Sequence, residues 1–133
     1  MLGINTSEWA PRMLSIVRIV VGLLFMEHGM AKLLGFPPGT AHPALFSLLW
    51  FAGIIEIVSG GLVALGLFSR CAAFIASGEM AVGYFHSHAP RNFFPMLNGG
   101  DAAILYCFIF LYFAAAGGGP WSLDWLIRRK TSA

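Results

Sequence analysis

The chain has 133 residues, of which 58% are hydrophobic and only 11% charged, with a mean hydropathy of +0.77. A soluble domain of this size carries about 25% charged residues, and a net charge of +2 is too small and too scattered to serve a nucleic-acid partner. The apolar residues fall in long blocks, not in short alternating runs, so the sequence reads as all-α: an integral membrane four-helix bundle forming one domain.

Met1 to Arg12 reads as a polar lead, with Ser7 as a helix cap, Trp9 suited to a membrane interface and Pro11 in a first turn. The first span is expected at about 13–34, which is near 33 Å at 1.5 Å per residue and long enough for a hydrocarbon core. It is too long for a cleavable signal peptide, and no small-x-small site follows it. Wound at 100° per residue, it places Arg18, Gly22, Phe25, Gly29 and Lys32 within about 40° of one line, with His28 flanking and Glu27 on the far side. Charge at bilayer depth is costly, so this line should face protein or a wet cavity, and its glycines should admit a close neighbour.

The prolines and glycines of GFPPGTAHP (Gly35 to Pro43) break the helix. A second span follows at about 44–68, carrying Glu56 on a stripe of small residues, Ala52, Gly53, Ser59 and Gly60. The third, about 71–86, has few strongly apolar residues and holds Glu79 beside Ala76, Gly83 and His86. Such a segment is expected to be wrapped by the other helices, intolerant of Leu at Ala76 and Gly83. His86 to Gly100 is the longest connection, and the fourth span is expected at about 101–116. The tail carries Trp121 and Trp125, a Ser122 cap and a basic cluster. Arg12, Arg70, Arg128, Arg129 and Lys130 fall on one side, which puts both termini in the cytoplasm.

Three spans thus carry carboxylates on or opposite small-residue faces. Counted from the cytoplasmic ends of the expected spans, Arg18 lies about 8 Å deep, Glu79 about 12 Å, Glu56 about 18 Å, and Glu27 and His28 about 21–23 Å. That arithmetic pairs Arg18 with Glu79 and gathers Lys32, His86, Asn98 and Asp101 at the outer mouth. An arginine cannot readily shed its proton, so Glu79→Gln is expected to destabilise more than Arg18→Met. The polar set Arg18, Glu27, His28, Lys32, Glu56, Glu79, His86 and Asp101 admits two readings: ion pairs that hold helices in register, or a pocket that binds a polar head group or relays protons. Two His at i, i+2 do not share a helical face, so His86-x-His88 makes a poor metal site. Cys71 and Cys107 read as packed thiols.

HGMAKLLGF (His28 to Phe36), Glu56 followed by Gly60 and Gly66, Glu79 with His86 beyond it, FPMLNGGD (Phe94 to Asp101) and GPWSLD (Gly119 to Asp124) together resemble the DoxX family. Asp101 stands where that pattern more often has Glu. The resemblance implies a multi-pass protein of the bacterial inner membrane, similar to a membrane subunit of thiosulfate:quinone oxidoreductase. It implies quinone or sulfur redox chemistry without naming a catalytic residue. No cofactor is expected to be bound: the sequence has no flavin or haem motif and no redox dithiol, so electrons would pass through a redox partner protein or a diffusible quinone. A homo-oligomer fits as well. The alternative is a non-catalytic membrane subunit or small-solute carrier whose buried charges serve packing or permeation.

Overall fold

The structure, a computed structural model, describes residues 3 and 5–133, so residues 1, 2 and 4 of the polar lead lie outside it. Among the described residues it is all helical. In chain order come α1 (Thr6–Leu34), α2 (Leu48–Leu65), α3 (Ser69–Gly83) running into a π-helical turn (Tyr84–His88), then α4 (Pro95–Asn98), α5 (Asp101–Ala116) and α6 (Leu123–Thr131). Two of these, α1 and α2, are long and apolar enough to cross a membrane; α5 is a shorter apolar helix.

Local chemistry sets the boundaries and explains where they depart from expectation. α1 begins within the stretch read as a lead. Asn5, not Ser7, occupies the cap position, and its carbonyl accepts from the N–H groups of Glu8 (3.0 Å) and Trp9 (3.1 Å). Pro11 falls inside the helix, where it forfeits one backbone bond close to an end that is already short of them. α2 is shorter than 44–68 at both ends. The Ser47 side chain caps it by accepting from Trp50 N–H at 3.3 Å, and Gly66, at φ 72°, ends it in the left-handed conformation that only glycine adopts without strain. α3 does not stop at His86. Ala89 N–H reaches back to the Tyr84 carbonyl at 2.9 Å, an i→i+5 bond that carries the helix through His88.

α1 and α2 touch backbone to backbone. A Cβ added at Gly22 would stand 2.6 Å from Ala64 N, one at Gly29 2.5 Å from Gly53 O, and one at Gly60 2.7 Å from Met26 N. This is the close approach that small residues permit between apolar helices. Phe25 of α1 then meets Phe110 of α5 edge-on at 4.7 Å. Val21, Val63, Ala72, Ala73, Ala76 and Phe113 complete one shared core.

α3 is less enclosed than its composition suggested. Ala72, Ala73 and Ala76 are buried, but Phe74, Ile75 and Val82 are exposed, and a Cβ at Gly83 would meet nothing within 4 Å. Ala72, Ala73, Ala76 and Ser77 form one packed stripe, while Gly78 and Gly83 are open, as are Phe74, Ile75 and Val82. Overpacking is therefore expected at Ala76 and not at Gly83.

Candidate functional site

The polar residues segregate into two clusters, one at each end of the packed helices. At the first, Lys32 near the end of α1 reaches Glu56 in the middle of α2, with Nζ donating to Oε1 at 2.6 Å. Among the described residues this is the one salt bridge, and its carboxylate side chain is 2% exposed against 28% for the lysine. Glu79 of α3 stands within electrostatic range of both partners. The outer carboxylate oxygens Oε2 of Glu56 and of Glu79 are buried and lack a hydrogen-bond partner.

Helix boundaries explain why the two carboxylates come within electrostatic range. Glu56 lies nine residues before Leu65 and Glu79 ten residues after Ser69, so they sit about 14 and 15 Å from the tight α2–α3 turn. They are level. The 6 Å offset read from the sequence came from drawing both helices to the wrong ends, and Gly66 and the α3 cap remove it.

Beside this cluster is a cavity of about 310 Å³ between α2 and α3, whose walls include Phe51, Ala52, Ile55, Ile75 and Val82 and whose polar lining is Lys32, Glu79, His86, Ser87 and His88. The π-helical turn places the histidines at its mouth, and Asn98 holds that turn in place. Asn98 is buried and donates to Tyr84 Oη at 3.2 Å, while its carbonyl meets His88 Nδ1 at 3.1 Å and its Oδ1 accepts from Gly100 N–H at 2.8 Å. Tyr84, Ser87 and the role of His88 were missed in the sequence. The signal was present: a His-rich segment continuing an amphipathic helix directly beyond Glu79.

The other members of the expected set lie elsewhere. His28 is near enough to Glu56 to act on it electrostatically, but its ring bonds the Leu24 carbonyl at 2.8 Å and rests edge-on against Tyr106 at 5.9 Å. Glu27 and Asp101 are exposed and line no part of the cavity. Cys71, read as packed, is exposed. No three His, Cys, Asp or Glu side chains among the described residues are grouped to hold a metal ion.

Arg18 belongs to the second cluster and does not pair with Glu79. It is fully buried, and every guanidinium nitrogen donates to backbone. Nε bonds the Gly118 carbonyl at 2.7 Å, Nη1 those of Val63 at 2.5 Å and Ala64 at 2.7 Å, and Nη2 that of Trp121 at 2.6 Å. Val63 and Ala64 are in the last turn of α2, where carbonyls lack the i+4 partner of a helix interior (of backbone donors, Val63 O accepts only the capping Gly66 N–H, at 3.1 Å) and the dipole favours a cation.

The segment after α5 closes the same end. Gly119, at φ 77°, could not carry a Cβ, which would stand 2.5 Å from Ser15 Oγ. Ser15 Oγ in turn accepts from Trp121 N–H at 3.1 Å. Asp124 then caps α3 from outside, its two oxygens accepting from Phe68 and Ser69 N–H at 2.8 Å each. Burial pushes its carboxyl up, but those N–H bonds and nearby Arg128 outweigh burial and hold it below the usual carboxylate range. Ser122 caps α6, accepting from Trp125 N–H at 3.2 Å, as the sequence suggested.

The description DoxX matches residues 13–89 of the chain. An uncharacterized protein of Haemophilus influenzae is 45% identical over 126 residues, covering 90% of this chain and 94% of that one. An uncharacterized membrane protein of Mycobacterium tuberculosis is 30% identical over 138 aligned positions, covering 88% of this chain and 82% of its own. No solved structure matches significantly. Half the chain and more matches the family description, including Arg18, Lys32, Glu56 and Glu79, and the chain belongs to the DoxX family.

Proposed function

We propose that the chain crosses the bacterial inner membrane as a multi-pass four-helix bundle of α1, α2, α3 and α5, with both termini cytoplasmic, and that its cavity binds the head group of a quinone-like molecule as part of an oxidoreductase. The membrane placement is supported by two long apolar helices, by a relative described as a membrane protein, and by the position of Arg70, Arg128, Arg129 and Lys130 at the same end. One observation carries the ligand reading. A cavity with mostly apolar walls ends on Lys32 and on Glu79, a carboxylate with a buried, unpartnered oxygen. Apolar walls with a few convergent polar groups are what a small lipid-soluble molecule requires. Lys32 retains spare N–H donors for a ligand oxygen, and Glu79 can take or give the proton that accompanies a change in the ligand's redox state. A separate redox protein, or the diffusing quinone itself, carries the electrons.

Titration of the purified protein with a short-chain quinone, read by calorimetry, tests this. Binding is expected in the wild type and is expected to be lost in Lys32→Met and Glu79→Leu. Absence of binding to the wild type sinks the reading. A second reading, a non-catalytic subunit or small-solute carrier, draws on the Arg18 cluster, where the buried charge is bonded to backbone carbonyls. Solute flux in liposomes that Glu79→Leu abolishes, without quinone binding, would favour it.

A further inference from the structure

Two adjoining grooves at the Arg18 end are used by nothing described so far. One, of about 360 Å³, has a mixed lining and lies between the glycine turn 117–119 and α6, with Arg70, Asp124 and Arg128 as its charged groups. The other, of about 400 Å³, is apolar and runs along Leu65, Trp121, Leu123 and Leu126. They share Pro120, Ser122 and Trp125, so one continues into the other.

The first groove is lined by two cations, Arg70 and Arg128, and one carboxylate, Asp124, which leaves it a net positive charge. Neither Arg70 nor Arg128 forms a salt bridge among the described residues. Arg70 holds its Nη1 on the carbonyls of Ala114 (3.1 Å) and Ala115 at the end of α5, which fixes the group and leaves other N–H donors free. The one carboxylate nearby, Asp124, has committed both oxygens to the backbone of Phe68 and Ser69. The apolar groove next to it is bordered by exposed Leu65, Trp121, Leu123 and Leu126.

We infer that these grooves form a binding site for one anionic phospholipid, its phosphate between Arg70 and Arg128 and an acyl chain along Leu65, Trp121 and Leu126. Arginine suits phosphate because its planar fork offers two parallel donors. The tryptophans suit the level between head group and chain. Lys130, on the same helix but in the lining of neither groove, belongs to the general basic surface and not to the site. The inference rests on the membrane placement proposed above and is independent of what fills the cavity at the other end.

The test uses full-length protein in a neutral detergent, with native mass spectrometry and thermal unfolding on addition of phosphatidylglycerol, phosphatidylcholine or inorganic phosphate. Phosphatidylglycerol is expected to bind at one equivalent and to raise the melting temperature; the other two are not. Arg128→Gln should weaken that lipid roughly tenfold or more, the scale of one lost charge-assisted bond. Lys130→Gln, the same loss of charge, should not. Arg70→Gln lowers basal stability by uncapping α5, so its lipid-induced shift is read against its own baseline and is expected to shrink. Equal effects of Arg128→Gln and Lys130→Gln would reduce the site to diffuse attraction and overturn the inference. So would an equal response to phosphatidylcholine, or a response to inorganic phosphate alone. A protein that remains soluble and folded without detergent would instead overturn the membrane placement.

Discussion

Arg18 and Glu79 are both ionisable residues within the packed helices, and they could hardly be treated more differently. Arg18 is enclosed by four carbonyls, each within 2.7 Å of a guanidinium nitrogen. Glu79 has a buried oxygen with no partner and a cavity beside it. A fully satisfied polar group stiffens and specifies a fold, whereas an unsatisfied one is a standing cost that persists where something else uses it. Arg18 therefore has every guanidinium nitrogen satisfied, whereas Glu79 keeps an orphaned oxygen beside a cavity.

That contrast is most directly broken at Arg18. Arg18→Met removes four charge-assisted bonds to backbone at once and should cost about 3–5 kcal/mol or abolish folding; Arg18→Lys should rescue little, since one ammonium cannot span four acceptors. Unfolding in detergent reads both, and a near-native Arg18→Met would show the carbonyl cage to be incidental. Next comes Glu56→Gln, which removes the carboxylate from Lys32. The lysine is part-exposed and can reach polar surroundings, so the loss should be smaller, about 1–3 kcal/mol. Asp124→Asn follows at about 1 kcal/mol, because an amide keeps one acceptor oxygen and turns an NH2 toward the second N–H. It also has a pH signature. The Asp124 carboxyl is held below its ordinary value in the folded chain, so its stabilisation is complete above the unfolded value, near pH 4, and disappears as pH falls through the folded one. The asparagine variant should lose less stability between pH 5 and pH 3 (about one unit either side of that value) than the wild type; parallel curves would show that Asp124 does not titrate there. The smallest effect is expected at Glu79→Gln. Removing an uncompensated carboxylate should change stability by no more than about 0.5 kcal/mol, or raise it. A loss as large as that of Arg18→Met would erase the distinction between the two ends.

This order reverses the one the sequence suggested, and the reason is general. The helical periodicity of α1 was legible, and it correctly put Gly22 and Gly29 against a neighbour and Arg18 inside. What Arg18 bonds to was not legible, because its partners are main-chain carbonyls, two of them more than ninety residues away, and a carbonyl carries no residue-type signature. Glu56 and Glu79 were each recognisable as buried carboxylates. Their common level was hidden by a few residues of error at Gly66 and Ser69, which at 1.5 Å per residue is enough to move a group from one partner to another. The Lys32–Glu56 pair was within reach of the same periodicity, but long flexible side chains span two turns, so depth alone did not select it.

The Asp124 clamp has a further consequence, in the order of synthesis. The N–H groups that open α3 at Phe68 and Ser69 are satisfied by a side chain made 55 residues later, and the carbonyls that hold Arg18 at Gly118 and Trp121 arrive 100 residues or more after it. Until the segment 117–124 emerges, α1, α2 and α3 lack the contacts that close their shared end. The growing chain therefore holds three helices whose common end lacks these bonds until the glycine-rich turn and Asp124 follow.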